Sequence, residues 1–200
     1  MLIKYLSAAI ILISLSFFFL NLCFAETSVS INKENYEVEG LNAMGIYNQV
    51  RRRSEIKYDG ITFAGQANSY IEPSYKWDKK DGKYYVTSVY IKVNATITMP
   101  TWVNYRQVSR EWQQEWDRFY KALYNHEQNH INIAVKAAKS IESALMQPRG
   151  FESYNLLKAH VDRICNDGYK LLNLNQKEYD NRTNHGHSEG AYIKRKWGRP

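Results

Sequence analysis

Across residues 85–99 apolar and polar side chains alternate. Tyr85, Thr87, Val89, Ile91, Val93, Ala95, Ile97 and Met99 take the odd positions, and Ser88, Lys92, Asn94, Thr96 and Thr98 take most of the even ones. Successive side chains of a strand point to opposite faces, so a period of two predicts a strand with one buried face. Asp81-Gly82, just before it, is a hairpin signal and makes Tyr75-Lys76-Trp77 the expected partner strand. Residues 27–99 as a whole read mostly as strands and turns. A short helix is expected at residues 41–53, which lack proline, and Pro100 is expected to close the strand region.

The period then changes. Residues 105–146 contain neither Gly nor Pro, and Val108, Trp112, Phe119, Leu123, His126, His130, Ile133, Ala137 and Ile141 recur at helical spacing. This is one face of an amphipathic helix, long enough that a kink or a division into two helices is expected. Pro148-Arg149-Gly150 marks a turn. Helical spacing resumes over residues 151–180 through Tyr154, Leu157, Val161, Ile164, Tyr169 and Leu172, with Asn166-Asp167-Gly168 as an expected interruption. Strands first and helices afterwards predict an α+β fold, with an N-terminal antiparallel sheet followed by a long helix and a C-terminal helical segment.

Composition narrows the class. The chain has 200 residues, 44% of them hydrophobic and 14% aromatic, which excludes an intrinsically disordered chain. Ten Gly and four Pro exclude a collagen-like or linker-dominated chain, and two Cys exclude a disulfide scaffold. The net charge of +7 is moderately basic, but no nucleic-acid-binding motif accompanies it. Residues 6–20 are almost wholly apolar, Lys4 is the one charge before them, and Cys23 and Ala25 are small. That pattern predicts a signal peptide over residues 1–25, cleaved after Ala25; the apolar run falls short of the ~20 residues that span a bilayer comfortably. The expectation is an exported protein, periplasmic or secreted, with one domain over residues 26–193. Cys165 then has no partner and sits in an apolar pattern, as a buried thiol would. The basic tail over residues 194–200, with Lys194, Arg195, Lys196, Arg199 and Trp197, is expected to be a solvated end or to make weak contact with an anionic envelope. Oligomeric state is not fixed by these features.

The chemistry lies inside the long helix, where His126-Glu127-Gln128-Asn129-His130 forms an H-E-x-x-H pattern. Residues four apart on a helix stack one above the other, so both imidazoles can bind one Zn²⁺ at about 2.0–2.1 Å. Glu127 lies about 100° round the helix from His126 and can reach a zinc-activated water without ligating the metal. Such a carboxylate serves as general base and then as proton donor. A catalytic zinc needs a third protein ligand. The candidates are His160, His185 and His187 among histidines, and Glu142, Glu152 and Glu178 among carboxylates. His185 and His187 stand out because Gly186 and Gly190 let the backbone bend toward a metal.

With these residues in place, the chain resembles bacterial domain-of-unknown-function family 922, described as predicted secreted zinc-dependent proteases. The resemblance covers most of the chain after the leader. It runs through Tyr36-Glu37-Val38-Glu39-Gly40, Met99-Pro100-Thr101-Trp102, Trp116-Asp117-Arg118-Phe119 and the H-E-x-x-H, and ends at Tyr179-Asp180-Asn181-Arg182-Thr183-Asn184-His185-Gly186. The last stretch matches a family pattern Tyr-Asp-x-x-Thr-x-His-Gly at every named place. The resemblance implies a minimal zincin-like fold and an exported zinc metallopeptidase acting on protein or peptide substrates. It favours His185 as third ligand beside His126 and His130. Asp180 would then orient an imidazole or itself be the third ligand. Tyr179 is expected either to donate to a developing oxyanion or to be a core aromatic. The rival expectations are a zinc-stabilised scaffold, its site closed by Asp180 or His187, and a zinc hydrolase of another amide such as cell-wall peptide.

Overall fold

The alternating segment is the centre of a sheet. In the computed structural model, which describes residues 24–58 and 60–194, the elements in chain order are strand β1 (Phe24–Val38), helix α1 (Ala43–Arg53), strands β2 (Lys57–Tyr58) and β3 (Ile61–Thr62), strands β4 (Gln66–Lys80) and β5 (Lys83–Trp102), and helices α2 (Arg110–Leu145) and α3 (Tyr154–Thr183). The expected leader up to residue 23 and the tail beyond Lys194 lie outside the described residues. No helix among the described residues is long and apolar enough to cross a membrane. On β5, Val89, Ile91, Val93, Ala95, Ile97 and Met99 are buried, and each even position between them is half-buried or exposed. The expected α+β architecture is therefore present, with helices packed on one buried face of a sheet.

Sheet topology departs from the expected all-antiparallel arrangement. The order is β1-β5-β4, with β4 antiparallel and β1 parallel to β5. The β4–β5 hairpin turns at Asp81 (φ 52°) and Gly82 (φ 78°), and Tyr75 faces Val89 as the turn signal predicts. β1 pairs from Phe24 opposite Ser88 to Val38 opposite Trp102. A parallel neighbour needs a long crossover; here the chain between β1 and β5 supplies α1, the β2–β3 hairpin and β4. β1 is exposed along nearly all its length, so its sequence carries no alternation that would reveal its role. Pro100 does not end β5. The register of β4 stops at Thr98, so beyond it only β1 accompanies β5, and a missing N–H is tolerated as on an edge strand.

The expected kink in the long helix is absent: α2 runs unbroken for 36 residues. Nor does Asn166-Asp167-Gly168 interrupt α3. A Cβ on Gly168 would stand 2.4 Å from Ile141 Cγ1, so this glycine lets two antiparallel helices approach closely. One half of the core joins Val89, Ile91 and Val93 to Ala134, Ala138 and Ile141 of α2 and to Leu157, Val161, Cys165 and Leu172 of α3. The other half joins Ala95, Ile97 and Met99 to Trp116, Phe119, Leu123 and Ile131 of α2. Each fully buried Phe or Ile contributes roughly 1.5–3 kcal/mol, and together they clamp α2 onto the sheet. His126 and His130 lie on α2 where these two halves meet, both buried.

Candidate metal centre

Helical spacing brings the two imidazoles together and α3 supplies a third group. His126 and His130 are nearly perpendicular, 4.8 Å between ring centroids, with their Nε2 atoms 3.3 Å apart. Asp180 places Oδ1 3.3 Å from His126 Nε2 and 3.1 Å from His130 Nε2. Three potential ligand atoms thus form a nearly equilateral triangle. Ligands about 2.0–2.1 Å from a tetrahedral ion stand roughly 3.3 Å from one another, so the triangle has the dimensions of one face of such a site.

The outer contacts orient the lone pairs. His126 Nδ1 lies 2.9 Å from Glu189 Oε2, and His130 Nδ1 contacts Gln176 Oε1. The Gln176 amide is fixed by its Nε2, which donates to the His130 carbonyl at 3.0 Å, so Oε1 is the acceptor at the ring. Each Nδ1 therefore carries the hydrogen, and each Nε2 directs a bare lone pair at the other ring and at a carboxylate. A cation, or protons in its place, relieves that repulsion. Burial disfavours charged imidazoles and is the largest single influence, but Asp180 together with Glu189 and Glu127 at His126, and with Gln176 and Glu127 at His130, outweighs it, so both rings titrate above the ordinary histidine value. Burial would likewise raise Asp180, yet the two imidazoles, which donate to it once protonated at Nε2, hold it well below the usual carboxylate range. His126, His130 and Asp180 can hold a metal ion.

Glu127, beside His126 but outside the triangle, is 4% exposed. Burial raises its carboxyl pKa, against the opposing pull of the two imidazoles and of a hydrogen bond from the Ala67 backbone on β4. Glu127 and the three ligand residues all line a cleft of about 1690 Å³, whose walls come from α1, the β2–β3 hairpin, the start of β4, α3 and the C-terminal segment.

The group of side chains that could hold a metal ion includes Asp180, the alternative in the sequence reading, and not His185. His185 lines the cleft, but it packs on Phe63 at 4.8 Å and its Nδ1 is 3.7 Å from Asp180 Oδ1, outside the triangle. The reason is backbone direction: Asp180 sits on a regular helical turn, whereas Asn184, His185 and Gly186 are all left-handed (φ 48°, 50° and 77°) and swing the chain away. His187 stacks on Tyr192 at 4.4 Å. His160 packs on Phe151, Glu142 contacts Thr27 and Glu152 pairs with Lys83, and none of these three lines the cleft. Glu178 is exposed on α3 and does not line it either.

Of the two roles expected of Tyr179, its contacts favour the core aromatic over the oxyanion donor. Its hydroxyl donates to Glu189 at 2.9 Å and accepts from Asn129 Nδ2 at 3.0 Å, while its ring stacks on His126 at 4.9 Å. Tyr179 is buried, does not line the cleft, and burial lifts its pKa to about 12. It positions His126 and Glu189 instead.

Thr183 and Gly186 shape the turn that follows α3. Thr183 donates to the Tyr179 carbonyl at 2.8 Å and accepts the Gly186 N–H at 3.2 Å, buckling the turn after α3. A Cβ on Gly186 would lie 3.0 Å from His126 Cγ. Gly186→Ala therefore combines a disfavoured positive φ with pressure on a ligand ring. We expect it to weaken metal binding about 10–100-fold, as loss of an outer orienting contact does, in a zinc titration; unchanged affinity would contradict this packing role.

Sequence reasoning missed Glu189, Gln176, Asn129 and the latch that holds the returning tail. Arg118 donates to the carbonyls of Gly190 at 2.6 Å and Tyr192 at 2.5 Å, and Glu115 accepts the Lys194 N–H at 2.9 Å. This fixes the turn His187–Glu189 that presents Glu189 to His126. Gln176 was legible, standing one turn before Asp180 on the same face of α3; Glu189 depends on the tail folding back and has no such signal.

No curated protein and no solved structure matches the chain. A family model described as a bacterial protein of unknown function (DUF922) matches residues 33–186, a span that includes the H-E-x-x-H, Asp180 and the Tyr-Asp-x-x-Thr-x-His-Gly turn. With more than half its length in that match, the chain belongs to the DUF922 family.

Proposed function

We propose that this protein is a zinc-dependent metallopeptidase, with His126, His130 and Asp180 holding the ion and Glu127 as general base. The observation that carries this reading is the 3.1–3.3 Å triangle of Nε2, Nε2 and Oδ1, set in a large cleft beside a buried glutamate that does not belong to it. Structural zinc is closed by four protein ligands, whereas catalytic zinc keeps an open position. Three ligand atoms converge here, and the residues bearing them face open cleft. Zinc bound there supplies a Lewis acid that lowers the pKa of water toward ~7 and polarises a carbonyl.

The protein's own groups do the rest. Glu127 takes the proton of the attacking water as the new C–O bond forms, and returns it to the amine nitrogen as the C–N bond breaks. A pKa raised by burial suits both halves of that transfer. Substrate backbone has a place to pair. β5 already has a strand on each side, but its neighbour β4 has, among the described residues, an open edge whose first residues line the cleft next to Glu127. An extended peptide added to that edge is held mainly by main-chain hydrogen bonds. The apolar leader supports export as part of the same proposal.

The test is hydrolysis by the purified chain of a quenched-peptide library and, in parallel, of cell-wall peptide. Cleavage of the library that stops with a chelator and returns with zinc is expected. Stoichiometric zinc binding with no hydrolysis of any amide sinks the enzymatic reading in favour of a scaffold, and cleavage of cell-wall peptide alone narrows the substrate to that amide.

A further inference from the structure

The cleft carries a charge asymmetry that the chain as a whole does not. The sequence has 27 basic and 20 acidic residues, so both signs are common along the chain. Yet the charged side chains lining the cleft away from the metal centre are all basic: Arg51 from α1, Lys57 from β2, Lys177 from α3 and Lys194 from the C-terminal segment. The carboxylates that line it, Glu127 and Asp180, both belong to the centre itself. Glu55 and Glu178, sequence neighbours of Lys57 and Lys177, do not line it. None of the four cations makes an ion pair among the described residues. Arg51, Lys57 and Lys177 are exposed, and Lys194 is half-buried.

Glu115 lies close enough to Lys194 to feel its charge, but Arg51, Lys57 and Lys177 have no such partner among the described residues. Cations from four separate elements that converge on one concavity focus its field on whatever enters. The ligand they suit is anionic, and the cleft's remaining features suit a polypeptide. The start of β4 offers an open strand edge to an extended backbone. The aromatic rings of the lining already have neighbours: Phe63 packs on His185, Tyr192 stacks on His187, Tyr47 lies under Arg51 at 5.8 Å, and Phe119 is buried. Nucleobases stacking on Phe63 or Tyr47, or on the face of Tyr192 that meets His187, would have to displace these contacts. We propose that the substrate is an acidic polypeptide segment, with Asp or Glu flanking the cleaved bond and held by Arg51, Lys57, Lys177 and Lys194. The inference rests on the peptidase reading for its chemistry, though not for the charge selection itself.

The experiment uses the zinc-loaded protein and three quenched peptides with one scissile core and Glu-rich, Gln-rich or Lys-rich flanks. Glu flanks are expected to raise kcat/KM at least about tenfold over Gln flanks, and Lys flanks to lower it, at low ionic strength. The preference should shrink at 1 M salt, where the screening length is about 3 Å. Arg51→Glu/Lys57→Glu and Lys177→Glu should each diminish or reverse it. Equal cleavage of all three peptides overturns this proposal and leaves the peptidase standing. If none is cleaved, binding of the same peptides, read by fluorescence anisotropy, decides. Tighter binding of the Glu-flanked peptide upholds acidic-segment recognition, while the quenched-peptide library decides the peptidase reading separately. Equal binding, or tighter binding of a single-stranded oligonucleotide of the same charge, overturns the proposal.

Discussion

Glu127→Gln is expected to keep its zinc and lose about 10²–10⁴-fold in peptide turnover, the usual contribution of a positioned proton-transfer group. The substitution preserves shape in a site that is 4% exposed. The amide oxygen can still accept the Ala67 backbone hydrogen bond, but it cannot take a proton from water at neutral pH. Metal affinity should change only a few-fold, because Glu127 contributes no atom to the triangle of His126, His130 and Asp180. Fold stability should not fall. Burial already disfavours the ionised carboxylate, raising its pKa, so replacing it with a neutral isostere removes a buried charge that the fold tolerates rather than needs. Three measurements check this together: zinc content, melting temperature and kcat/KM on one peptide. A variant that holds zinc and cleaves at the wild-type rate removes Glu127 from the mechanism.

The contrast between Glu127 and its neighbours shows which parts of the molecule were legible beforehand. Periodicity reports burial of one face, so β5, with its clean alternation from Val89 to Met99, and the apolar stripes of α2 and α3 were readable. β1 was not readable as a partner of β5. It is exposed along most of both faces, and its parallel pairing, Thr27 with Ile91, is chosen across a long stretch of chain. Gly168 looked like a break because local propensity disfavours glycine in a helix; the compensating contact with Ile141 lies on another element. In the centre, the spacing of His126 and His130 is a local property and was legible. The choice between Asp180 and His185 was not local. It turns on three successive left-handed residues after α3, which Thr183 and the Arg118 latch hold in place. Yet Gln176, Tyr179, Asp180 and Thr183 already share one face of α3 by spacing alone, and all four serve the centre or the turn beside it. An acid on a regular helical turn opposite two helical histidines is better positioned than a histidine in a loop.

That distinction fixes the outcome expected when each is removed. Asp180→Ala deletes one corner of the triangle and the carboxylate that both imidazoles face, so zinc affinity should fall by more than about 100-fold, beyond the range typical of outer orienting partners. His185→Ala removes a ring packed on Phe63, and affinity should stay within about tenfold of wild type. The reverse ordering would restore His185 as the ligand. The pH dependence gives an independent readout. In the metal-free protein His126 and His130 titrate above the ordinary value of 6.5: burial of their charge is the largest single influence and lowers them, but Asp180, with Glu189 and Glu127 at His126 and Gln176 and Glu127 at His130, together outweighs it. A histidine pKa raised by folding adds stability that is fully present below the unfolded value and is lost as pH rises through the folded one. Metal binding needs both rings neutral and so runs the opposite way: affinity should increase as pH rises through the raised histidine values. The gain in melting temperature on adding zinc should therefore grow steadily from pH 6 to pH 8, as mass action on a tightening site requires. Asp180→Ala loses the raised pKa along with the ligand. Its metal-free melting curves should depend less on pH over that window, and zinc should shift them little at any pH. A zinc-induced shift that is the same at pH 6 and pH 8 in the wild-type chain would mean that the ion is not held by these two imidazoles.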